Sequence, residues 1–243
     1  MLHAAAETIL GRVLSGDPIM QALDLDYMLG LLPILLNYLP LTLEMAAAGM
    51  VAALVLACLL AIVRVQRTPG LNAVAMLFIS FFRGTPLLVQ LFLFYYGLPQ
   101  LLTFLVAING ITATILGLTL HFSAYMAESI RAAIVGVDRS QTEAALSIGM
   151  TQGQLMRRIV LPQATRVATP TLMNYFIDMI KATSLAFTLG VTELMGATQK
   201  EAAGSFLYFE AFLMVAVIYW VVVELLSWLQ RRMEKRLNRA YQR

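Results

Sequence analysis

Cysteine is almost missing from this 243-residue chain: Cys58 is the only one, so an internal disulfide, a CxxC pair and a thiolate metal cluster are all excluded. Histidine is nearly as scarce. His121 has no second His or Cys at ligand spacing, which leaves it the reading of a hydrogen-bonded interior histidine. Charge is low as well, with 13% Asp, Glu, Lys and Arg against 60% hydrophobic residues, a balance outside the range of soluble domains. No Gly/Ser-rich linker or charge run divides the chain, so it reads as one domain. There is no GxxxxGK[ST] segment to cradle nucleotide phosphates and no nucleophile elbow, which argues against an enzyme. The first twenty residues lack a basic start followed by a continuous apolar stretch, and do not read as a cleaved leader.

Long apolar runs are what the chain has in quantity. A bilayer core about 30 Å thick needs roughly 20 apolar helical residues. Five stretches meet that need: 39–63, carrying only Glu44; 71–98, interrupted by Arg83-Gly84-Thr85-Pro86; 111–135; 167–191, with Asp178 and Lys181; and 206–229, with Glu210 and Glu224. The expected fold is an all-α integral membrane domain of about five spans over residues 39–230, preceded by an extracytoplasmic or interfacial segment 1–38 and followed by a basic tail 231–243. Within the first segment, residues 27–38 are apolar but too short to span, and suit an interfacial helix.

The net charge of +3 does not form a stripe suited to nucleic acid; the basic residues fall at the ends of apolar runs, where they set topology. Arg64, Arg67, Arg131, Arg139, Arg157, Arg158, Arg166 and the tail collect on one side, against Arg12 and Lys200 on the other. That bias puts the N-terminus outside and the C-terminus in the cytoplasm. Asp17, Asp24, Asp26, Glu193 and Glu201 then fall in extracytoplasmic segments.

Between the third and fourth spans lies a polar stretch, 138–166, with two helix-start signals: Ser140 with Glu143 and Thr151 with Gln154 both have capping-box spacing. Gly149 lies where a left-handed cap ends the first helix, and Pro162, which has no backbone donor, is expected to stop the second. The product is a helix-turn-helix elbow at the membrane surface. Ala144 and Ala145 leave a flat face for a protein partner, and Arg157 and Arg158 are placed to meet lipid phosphates or acidic groups. A hairpin packed only on its own membrane domain fits the spacing equally well.

Glu143-Ala144-Ala145, three residues, Gly149, nine residues, Ile159, one residue and Leu161-Pro162 resemble the EAA loop of ABC importer permeases at every defining position. FFRGTPLLVQLFLFYYGLP (81–99), AYMAESIRA (124–132), RRIVLPQATR (157–166) and KATSLAF (181–187) extend the likeness to the polar amino acid permeases, over roughly 31–237. The stretch 187–212 looks most like the cystine branch. The resemblance implies a type I importer fold in the bacterial inner membrane, paired with a second permease subunit, the same chain or a homologous one. It further implies two ATPase subunits docked on the EAA loops, an extracytoplasmic substrate-binding protein, and ATP with magnesium held by the ATPase and no cofactor on this chain. Glu143 would then meet the ATPase while Gly149 permits the turn, and substrate would move by alternating access.

Ionisable groups at bilayer depth cost at least about 2.5 kcal/mol and ask for a partner or a wet cavity. Glu128 with Arg131 and Asp178 with Lys181 are each i, i+3 pairs able to neutralise one another. Asp178 and Lys181, followed by Thr183 and Ser184, are candidates to line a translocation path, because a zwitterion needs both a carboxylate and a cation. Arg83 and Thr85 flank a helix break whose freed backbone groups face a cavity or merely mark a kink. A rival reading is an ion-coupled secondary carrier with Asp178, Glu128 and His121 as a relay.

Overall fold

The computed structural model describes residues 23–239; positions 1–22, with Arg12 and Asp17, and 240–243, with Arg243, lie outside the described residues. Every regular element among the described residues is helical. Helix α1 (Leu25–Leu36) starts where Asp24 accepts a 2.8 Å bond from the Tyr27 amide. It turns at Asn37 and Tyr38 into α2 (Leu39–Gln66), whose proline in the first turn loses no hydrogen bond. Helix α3 (Leu71–Gly84) bends by 110° into α4 (Leu87–Leu101) at the Thr85-Pro86 break. Helix α5 (Gly110–Val135) is capped by Asn109. The elbow follows as α6 (Arg139–Ser147) and α7 (Gln152–Leu155), and leads through a π turn, Met156–Val160, into α8 (Leu161–Ala182). A 3-10 turn, Thr183–Leu189, then precedes α9 (Leu194–Ser205) and α10 (Tyr208–Arg239).

By length and composition, α2, α5 and α10 are each apolar enough to cross a membrane, and the bent pair α3 and α4 counts as a fourth candidate. The stretch expected as a span at 167–191 is helical in α8 and its 3-10 extension, but is not apolar enough to qualify on composition. Its polarity comes from residues such as Asn174, Asp178 and Lys181, which lie on its exposed side.

Small side chains let the bundle close. On α2, Ala46, Gly49, Ala53, Ala57 and Ala61 are buried, while Val51, Leu54, Val55, Leu59 and Ile62 point outward. This inverts the soluble-protein pattern, as lipid demands: bulky apolar groups face hydrocarbon and small ones allow backbone approach. A Cβ on Gly49 would come within 3.0 Å of Met179 Sδ and 3.4 Å of Leu118 Cβ, so α2, α5 and α8 meet at that level. Phe82, Phe122 and Met126 complete this main core.

A second core joins α1, α9 and the first half of α10 through Leu31, Leu35, Leu194, Ala202, Ala211 and Val215. Tyr27 on α1 accepts a 2.9 Å bond from Ser205 at the end of α9, so these helices form a separate layer. It sits at the end of the bundle remote from the elbow. The segment of Glu193 and Glu201, expected as an extracytoplasmic loop between the last two spans, is a packed helix instead. Glu193 is fully buried as the cap of α9, its carboxylate accepting from the Gly196 amide at 2.9 Å, and Glu201 is inside the helix. Two glutamates amid Leu194, Ala197 and Ala202 did not look like a packed helix, because the apolar face is made mostly of alanine.

Candidate functional site

The elbow is built from local signals. Thr151 and Gln154 form the expected reciprocal capping box, with bonds of 3.3 and 3.0 Å. Ser140 and Glu143 do not: the cap of α6 is Asp138, which accepts from the Ser140 amide at 2.8 Å. A carboxylate two residues before that amide reaches it with no help from Glu143, whose side chain stays exposed. The Ser140 backbone bond holds the Asp138 carboxyl below the usual aspartate range.

Gly149 has φ of +84°, and the Met150 amide bonds back to the Ala145 carbonyl at 3.1 Å, closing the corner between α6 and α7. Pro162 does not stop a helix. It occupies the first turn of α8, where its missing donor costs nothing, and the preceding π turn absorbs the change of register. The elbow is thus continuous with α8. Ala145 is also not part of an open face: it is buried with Leu155 and Val160, with Ile159 packed beside them, while Glu143, Ala144, Leu161 and Pro162 are exposed. Gln163, which the sequence reading passed over, donates to Gln141 on α6 at 2.7 Å and ties the elbow to α8.

The charges in the spans fall into separate places. Glu128 takes Arg131 at 2.8 Å, as its spacing predicts, and also Arg64 from α2 at 3.3 Å, while Arg64 donates to Asn72 on α3. Both carboxylate oxygens are engaged, so Glu128 ties α5 to α2, and Arg64 extends the cluster to α3. Asp178 and Lys181 pair at 2.7 Å on the outside of α8, each about half exposed. Ser184 is half-buried in the following 3-10 turn. At the helix break, Arg83 lies 5.4 Å over the Tyr125 ring. Thr85 caps the end of α3 through the Phe81 carbonyl at 2.8 Å. Gln90, fully buried, donates to the Phe82 and Thr85 carbonyls freed by the break and accepts His121 at 3.1 Å. His121 is thus hydrogen-bonded in the interior, and Gln90 is the residue the sequence hid. A lone amide inside an apolar run, five positions beyond the break, was the available signal.

The model of the family described as "Binding-protein-dependent transport system inner membrane component" matches residues 49–239. The chain belongs to that family. It is 64% identical over 220 residues to the "Probable amino-acid ABC transporter permease protein PatM" of Vibrio harveyi, covering 90% of this chain and 99% of that one. It is 39% identical over 224 residues to the "L-cystine transport system permease protein TcyL" of Bacillus subtilis, covering 90% and 93%. A crystal structure of an amino acid ABC transporter with histidines superposes with a TM-score of 0.82 at 34% identity, over 88% of this chain and 99% of that one. The fold is that of a type I ABC importer permease, and the chain is the membrane permease subunit of an amino acid ABC importer. The elbow carrying Glu143-Ala144-Ala145 and Gly149 lies within the matched region, so it is a feature of the permease and not an appendage.

Proposed function

We propose that this permease moves polar amino acids, with L-cystine the leading candidate, by alternating access powered by two ATPase subunits. They dock on the elbow, in a complex with a second permease and an extracytoplasmic binding protein in the bacterial inner membrane. The observation that carries the reading is the elbow itself: a glycine-cornered hairpin with Glu143 and Ala144 exposed, continuous through Pro162 with α8. Continuity matters mechanically, because a force on α6 passes through the hydrogen-bonded Gly149 corner and the Gln141–Gln163 bond into the helix that carries Asp178 and Lys181. The exposed face of α8, with Asn174, Asp178 and Lys181, suits a wet path or a second permease, because lipid would not solvate it. Arg83, Thr85 and Ser184 belong to the same path reading, whereas the double engagement of Glu128 favours a clamp. The likeness to TcyL supports cystine. The basic residues near the elbow support its placement in the cytoplasm.

Glu143→Lys tests the docking role. In membranes with the ATPase partner, it is expected to abolish stimulated ATP turnover and amino acid uptake while leaving insertion intact. Unchanged turnover and uptake would refute docking at the elbow, and uptake by the wild-type chain alone in an ion gradient would replace the whole reading with a secondary carrier.

A further inference from the structure

Glu193 is a carboxylic acid with no exposed surface in a chain built mostly of apolar helices. Burying such a group is costly unless it is fully bonded, and two of the bonds it makes reach other helices. Oε1 accepts from the Gly196 amide at 2.9 Å, within its own helix cap. Oε2 accepts from Thr42 on α2 at 3.2 Å and from Tyr219 on α10 at 3.3 Å. Thr42 in turn accepts from the Leu194 amide at 3.2 Å, so α2 and the start of α9 are bonded in both directions. Close packing reinforces the node: a Cβ on Gly196 would lie 2.5 Å from the Val191 carbonyl oxygen.

The node stands where the two cores meet. Thr42 belongs to the helix that packs in the main bundle, Glu193 to the layer of α1, α9 and the first half of α10, and Tyr219 packs against both. From Thr42, α2 runs about 33 Å to Arg64, at about 1.5 Å rise per residue. There the Glu128 clamp fastens it to α5, the helix that leads into the elbow. Each end of α2 therefore carries a polar fastening, and the only charge on the helix between them is the exposed Glu44.

We propose that Glu193 is a positioning residue that pins the outer helical layer to α2, so that layer and bundle turn as one body during transport. The proposal rests on the transport reading above for its consequence and not for its geometry. A rigid pin makes a movement at the outer layer arrive at the Arg64–Glu128 end, beside the elbow, undiminished. Without it, the two cores are free to rock separately, and ATP is spent without productive movement of solute.

The test uses full-length permease in nanodiscs with its ATPase partner. Cys58→Ser removes the native thiol, and spin labels at Lys200→Cys on α9 and Glu44→Cys on α2, both exposed, report the distance between the layers. The otherwise native chain is expected to give a single narrow distance that MgATP does not alter. Glu193→Ala should lose that single distance. Thr42→Val and Tyr219→Phe, which each remove one hydroxyl, keep the test open if the alanine variant does not insert, and Thr42→Ser should restore the narrow distance. Variants that hold the single distance, or a native distance that MgATP changes, would overturn the pin. The comparison without nucleotide stands on its own, so a native permease that failed to stimulate ATP turnover by its partner would count against the transport reading only.

Discussion

Replacing Gly149 separates the demands of the backbone from those of a partner surface. Its φ of +84° is open to glycine at no cost, tolerated by asparagine and opposed by a Cβ in other residues. A Cβ built there meets nothing within 4 Å, so within this chain the only penalty is conformational. Gly149→Ala is therefore expected to cost the turn about 1–2 kcal/mol, roughly a fivefold to thirtyfold loss of the closed corner. Gly149→Val should cost more, and Gly149→Asn little. The bonds that report the corner are those from the Gly149 and Met150 amides to the Leu146 and Ala145 carbonyls, at 3.0 and 3.1 Å. Hydrogen exchange at these two amides, measured in nanodiscs, should rank the variants Gly, Asn, Ala, Val from slow to fast. ATPase stimulation should follow the same order. If Asn proves as damaging as Val, the backbone explanation is wrong and close approach of the partner sets the need for glycine.

Two further outcomes follow from single side chains. Gln90→Leu leaves the Phe82 and Thr85 carbonyls and His121 without their amide, and should destabilise the helix break by about 1–3 kcal/mol; an unchanged melting temperature in detergent would contradict the role of Gln90 as the cap of the broken span. Asp138 caps α6 as a carboxylate whose pKa is lowered mainly by the Ser140 amide. A lowered folded pKa gives a stabilisation that is present above the ordinary aspartate pKa and lost as pH falls through the folded value. Proteolysis of the elbow should thus accelerate in acid, and in Asp138→Asn this acid step should vanish. An identical acid step in the asparagine variant would reject Asp138 as its source.

Several features were legible because they rest on neighbours in the chain. The Thr151–Gln154 box, the positive φ of Gly149 and the break at Thr85-Pro86 each depend on residues within one or two turns. Where two local solutions competed, spacing alone misled: Asp138 lies as close to the start of α6 as Ser140 does, and the carboxylate won. Pro162 misled for a different reason, since proline is tolerated in a first turn and forbidden only farther in, and the sequence did not reveal the π turn that makes Leu161 a beginning. The stripe Gly49, Ala53, Ala57 and Ala61 was present at helical spacing, yet only contact with Met179 and Leu118 gives it meaning.

The amino-acid sequence alone determined that this chain belongs in a bilayer, that its apolar runs are helices, and that a glycine-cornered elbow interrupts them, because hydropathy and capping act over a few residues. Tertiary structure alone decided which polar groups meet: Thr42 with Glu193, Gln90 with His121, Arg64 with Glu128. Those partners lie 151, 31 and 64 positions apart, and no local rule relates them. In an apolar interior each must find the other or remain costly, so the packing of the helices, once formed, selects the pairs.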